Sequence, residues 1–122
     1  MIEPHRQRSC KFSSRFGSVA VLVTYSAEGV PIRLTDERWA HVCRRHPEMQ
    51  AQDGKVLETV RLPEMILRGD YGEKLAARFY KTTPLTSKFL VVAYKELGTD
   101  GFVVTAYFAR RLAEWREILW QP

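Results

Sequence analysis

Three stretches rich in β-branched and aromatic residues, at 74–81, 88–95 and 102–108, are joined only by short polar links. No other feature constrains the fold as strongly. Strands linked by so few residues pair antiparallel, because a parallel return needs a crossover of a dozen residues or more. In the first stretch Leu75, Ala77 and Phe79 alternate with Ala76, Arg78 and Tyr80, the period of two that a strand imposes. The second stretch is almost wholly apolar, as a central strand is. Gly98-Thr99-Asp100-Gly101 is a hairpin turn signal, and it leads into a third strand with Val103, Thr105 and Tyr107 expected on one face.

The chain ahead of these strands reads differently. Residues 18–25 are dominated by β-branched side chains and predict a strand, with 30–34 a short strand leading back. Thr35 then caps a helix whose first turn carries Asp36 and Glu37, where the positive end of the helix dipole favours acids. Trp39, Val42, Cys43 and His46 follow the i, i+3, i+4, i+7 spacing of a buried stripe, and Pro47 ends the helix at His46. A second helix is predicted over 53–62, closed by Pro63, followed by a short apolar piece at 65–67. Leu112, Trp115 and Leu119 suit the inner stripe of a C-terminal helix over 110–120. The expected architecture is therefore α+β: N-terminal helices packed on an antiparallel three- to four-stranded meander, with a C-terminal helix. Residues 1–17 are expected to form a disordered basic tail and 18–122 a single domain.

Charge says little about the folded body. Of the formal +5, three units come from Arg6, Arg8, Lys11 and Arg15 against Glu3. A basic end of this kind attracts polyanions weakly or is simply solvated. Cys10 and Cys43 form no ligand cluster or disulfide framework, so neither a zinc site nor another metal or cofactor is expected, and two thiols suit a reducing compartment. No apolar run approaches the roughly 18 residues of a membrane span, and no cleavable leader is evident, so the expectation is a soluble cytoplasmic protein without a membrane partner.

The chemistry-bearing residues fall into two groups. By strand period, Arg78 shares a face with Tyr80, Lys88 with Tyr94, and Thr105 with Tyr107. If the register stacks these faces, one side of the sheet carries cations, hydroxyls and phenols together, which is either a functional surface or a solvated outer face. The second group is His41, His46 and Glu48. On an ideal helix His41 lies with Arg38 and Arg45, while His46 is about 140° away around the axis, a poor arrangement for one metal. The alternatives are a solvated histidine among arginines at His41 and a core histidine at His46. Together these residue types suit phosphodiester chemistry on RNA: a base for the 2′-OH, an acid for the leaving oxygen, a cation for the phosphate. Arg78 would grip phosphate through its planar fork, and Tyr80, Tyr94 and Tyr107 would stack bases or orient phosphate oxygens.

The run Ile32-Arg33-Leu34-Thr35-Asp36-Glu37-Arg38-Trp39-Ala40-His41-Val42, then Arg45-His46-Pro47-Glu48, Pro63-Glu64-Met65-Ile66, Lys88-Phe89-Leu90-Val91-Val92-Ala93-Tyr94 and Thr105-Ala106-Tyr107-Phe108, resembles the phage-linked subset of the barnase–EndoU–colicin–RelE-like (BECR) nucleases over residues 30–110. The resemblance implies a helix-then-meander fold and a metal-independent RNase activity of toxin or phage-conflict type. It implies an active site on the sheet with a contribution from the first helix. His41 or His46 would transfer protons, Arg78 and Lys88 would meet phosphate, and Thr105 with Tyr107 would complete the site. Arg38 and Glu48 are further candidate substrate contacts. The partners implied are RNA (tRNA or mRNA) and an inhibitor or antitoxin protein. Two other readings stand beside it: a non-catalytic nucleic-acid- or protein-binding domain, and a homodimer joined through Trp115 and Trp120.

Overall fold

The computed structural model describes residues 21–122. The expected basic tail at 1–17, and the start of the first predicted strand, lie outside the described residues. Strands β1 (Val21–Tyr25) and β2 (Pro31–Thr35) form a hairpin and feed helix α1 (Asp36–Arg45). A single 3-10 turn (Pro47–Met49) leads to helix α2 (Asp53–Arg61). Then follow β3 (Met65–Arg68), β4 (Lys74–Tyr80), β5 (Lys88–Leu97), β6 (Asp100–Ala109) and β7 (Ile118–Trp120). All seven strands join one sheet in the order β1-β2-β6-β5-β4-β3-β7. Every pairing is antiparallel except β2 with β6.

This corrects the expected architecture. The meander is embedded in a larger seven-stranded mixed sheet, the α-helices among the described residues are only the two short ones, and the C-terminal helix is absent. The parallel contact is brief, Ile32 with Gly101 and Arg33 with Phe102. It depends on Gly101: a Cβ there would lie 2.1 Å from the Lys95 carbonyl oxygen and 2.9 Å from Ile32 Cδ1. The 65–67 piece is a strand because it pairs with β4, Ile66 opposite Ala76.

The expected helix over 110–120 does not form. An isolated helix of that length is marginal in water, so tertiary partners decide the conformation. Here β3 offers an open backbone edge. The Arg68 amide donates to the Glu117 carbonyl at 2.9 Å, and β7 continues the pairing with Ile118 opposite Leu67. Side chains fix the same path. Arg116 forks onto Asp70 at 2.9 and 3.1 Å, donates to the Arg68 carbonyl at 3.0 Å and stacks on Trp115. Arg68 Nε meets Glu117 at 2.7 Å. Trp115, read as an inner-stripe residue, is 73% exposed.

Both helices lie on one face. Trp39, Val42 and Cys43 of α1, Met49, and Val56 and Val60 of α2 pack onto Ile32, Leu34, Ala76, Leu90, Val92, Tyr94, Val103 and Ala106. The opposite face has a smaller cluster of Leu67, Leu75, Ala77, Val91 and Ala93, with Val104, Tyr107 and Leu112 against it. Among the described residues no helix is long and apolar enough to cross a membrane.

Candidate functional site

Helix α1 starts where the sequence places its cap. Thr35 is extended, and its hydroxyl accepts from the Arg38 amide at 3.1 Å. Burying Trp39, Val42 and Cys43 turns the stripe Arg38–His41–Arg45 outward. The helix stops at His46, whose amide donates to the Val42 carbonyl at 2.8 Å while its backbone leaves helical geometry (φ −135°, ψ 80°).

The site arises where α1 meets β6. Strand β2 leaves β6 after two residue pairs and turns into α1, so α1 takes the place of a strand beside the next part of β6. There Arg38 Nη1 donates to the Val104 carbonyl at 3.3 Å. Val104 is the extra residue of a bulge: Tyr94 pairs with Val103, and Ala93 already pairs with Thr105.

The resulting cleft, of about 440 Å³, is lined by Arg38, His41, Arg45, His46, Val104, Thr105 and Tyr107. The rings of His46 and Tyr107 lie 5.8 Å apart at 35°. Glu48 Oε2 stands 3.8 Å from His46 Nδ1, an ion-pair distance when the ring is protonated. Partial loss of hydration, then the charges of Arg38, Arg44 and Arg45, lower the pKa of His41 from its ordinary value. The neutral imidazole is therefore favoured at pH 7. Burial raises the Tyr107 phenol pKa, so it stays protonated and able to donate.

Of the residues singled out in the sequence, Arg38, His41, His46, Thr105 and Tyr107 come together, with Glu48 behind His46. Arg78, Tyr80, Lys88 and Tyr94 do not line this cleft. The bulge explains the separation. Counting by twos puts Val103 with Thr105 and Tyr107, but the extra residue sends Val103 into the helix-side core and leaves the other two opposite Ala93 and Val91 on the far face. Arg78 pairs with Leu90, and Tyr80 with Lys88, on the helix-bearing side. The expected single polar surface across the three strands is thus two surfaces.

These four residues have local structural partners. Arg78 Nη1 donates to the Leu62 carbonyl at 2.8 Å, a cation at the C-terminal end of α2. The Tyr80 hydroxyl donates to Glu58 at 2.6 Å, and burial followed by that carboxylate pushes its pKa up to about 12. Lys88 Nζ bonds the Leu85 carbonyl and the Thr86 hydroxyl, at 2.7 and 3.2 Å. Tyr94 is a core residue, 1% exposed, and burial raises its pKa too.

Arg45 and Val104 are the cleft residues that the site assignment omitted. The 38–41–45 spacing already aligned Arg45 with His41. Nothing in the local sequence marks the bulge at Val104. Among the described residues no three His, Cys, Asp or Glu side chains are grouped to hold a metal ion. A comparison with protein-family models, curated proteins and solved structures finds no match to this chain.

Proposed function

We propose that the cleft between α1 and β6 is the active site of a metal-independent RNA endonuclease. The observation that carries this reading is the convergence of two imidazoles, His41 and His46, with two guanidinium groups, Arg38 and Arg45, on one open cleft. Neutral His41 takes the proton of a ribose 2′-OH. The freed oxygen attacks the adjacent phosphorus, and the bond to the 5′-oxygen breaks. Protonated His46 gives its proton to that leaving oxygen, so the products are a 2′,3′-cyclic phosphate and a 5′-hydroxyl. Arg38 and Arg45 offset the charge that builds on the non-bridging oxygens, and the Thr105 hydroxyl and Tyr107 phenol donate to them. Glu48 orients the His46 ring. The lowered pKa of His41 supports its role as the base. The resemblance of the 32–48 run and the Thr105–Phe108 segment to BECR nucleases supports the same chemistry, and with it a toxin or phage-conflict role with a cognate inhibitor.

The test is cleavage of an end-labelled single-stranded RNA in EDTA. Wild-type protein is expected to release fragments ending in cyclic phosphate. His41→Ala and His46→Ala are each expected to slow cleavage by roughly 100-fold or more without loss of fold. Intact RNA at large protein excess would overturn the proposal. A retarded complex with no product would leave a non-catalytic nucleic-acid-binding domain.

A further inference from the structure

A second concavity, of about 290 Å³, lies on the other side of His41. It is lined by Thr35, Glu37, Arg38, His41 and Arg44, so it shares Arg38 and His41 with the candidate active site. Helix geometry accounts for the pair. Residues 38, 41 and 45 form one stripe and residues 37, 41 and 44 the next, so His41 sits on the ridge between them. Arg44 and Arg45 diverge by about 100° around the axis, one toward each concavity. Both are exposed, and among the described residues neither forms an ion pair with an acid.

Resting on the ribonuclease reading, we infer that this second concavity is a flanking nucleotide subsite with Arg44 as its phosphate-binding cation, so that the ligand is a single strand crossing α1 at His41. The ligand must bend over a ridge about 10–12 Å across, the diameter of a helix. A single strand follows such a ridge. A duplex, stiff over about 150 base pairs, does not. Glu37 sharpens the class. Its carboxylate in the same concavity repels a bare phosphate chain, and it accepts from an exocyclic amine of a base. The subsite therefore takes a nucleoside with its phosphate, not an inorganic polyanion.

The test measures binding of 2′-deoxy oligonucleotides of two and eight residues, by fluorescence anisotropy, at several salt concentrations. These ligands lack the attacking hydroxyl, so the result is independent of turnover. Wild-type protein is expected to bind the octamer about 10-fold more tightly than the dinucleotide at low salt. Arg44→Gln is expected to remove most of that gain, change dinucleotide affinity by less than about twofold, and reduce the octamer's salt slope by about 0.7, one phosphate contact. Arg45→Gln is expected to weaken both lengths. An Arg44→Gln protein that binds the octamer within about twofold of wild type, or loses both lengths equally, overturns the subsite, as does a wild type that binds neither length. The expected length pattern in a protein that cannot cut the matching ribo-oligomer retains the subsite and removes the nuclease chemistry.

Discussion

At the scale of single residues, environment separates side chains that look equivalent in sequence. His41 in the middle of α1 and His46 at its C-cap lie five positions apart, yet one stands among arginines and the other beside a carboxylate. The depressed pKa of His41 gives the sign of the pH dependence. In the proposed mechanism only its neutral form accepts a proton, so RNA cleavage is expected to rise with pH through its pKa, on an acidic limb below 6.5. An NMR titration of the His41 ring should find the midpoint below 6.5, and it should climb toward 6.5 at high salt as the arginine charges are screened. Arg78 illustrates the opposite lesson. Its charge and strand position suggested phosphate binding, but its guanidinium bonds the end of α2. Arg78→Ala is expected to cost about 1 kcal/mol in denaturant unfolding, the worth of one such hydrogen bond, with RNA cleavage retained. The Thr35 cap, the acidic first turn and the buried stripe of α1 were legible because each depends only on near neighbours in the chain.

At the scale of elements, the same locality explains what was not legible. The strand period predicts faces only while the ladder is regular, and one extra residue at Val104 reverses the count upstream of it. That bulge separates Thr105 and Tyr107 from Arg78 and Tyr80, and it delivers the first pair to the cleft. The C-terminal segment failed for a related reason. Leu112, Trp115 and Leu119 have helical spacing, but the open edge of β3 and the Arg116–Asp70 fork lie more than 40 residues away in sequence. If that fork fixes the path of the segment, Arg116→Ala should speed proteolysis and amide exchange over 110–120 while β5 stays protected. Uniform loss of protection across the sheet would show that the fork supports the whole fold instead.

At the scale of the molecule, the decisive feature is the short parallel junction between β2 and β6. It brings the N-terminal hairpin to the edge of the meander and drops α1 beside β6, where the cleft forms. That contact joins residues about 70 positions apart and leaves only two paired positions, so neither spacing nor periodicity announces it. The candidate cleft lies at the edge where helix and strand meet, not on the broad face of the sheet. Chemical-shift mapping with an uncleavable 2′-deoxy octamer tests that location most directly. Shifts are expected to concentrate on the Arg38–His46 and Val104–Tyr107 amides and side chains. Shifts centred on Arg78, Tyr80 and Lys88, or on the exposed β1 residues Val21, Val23 and Tyr25, would contradict it.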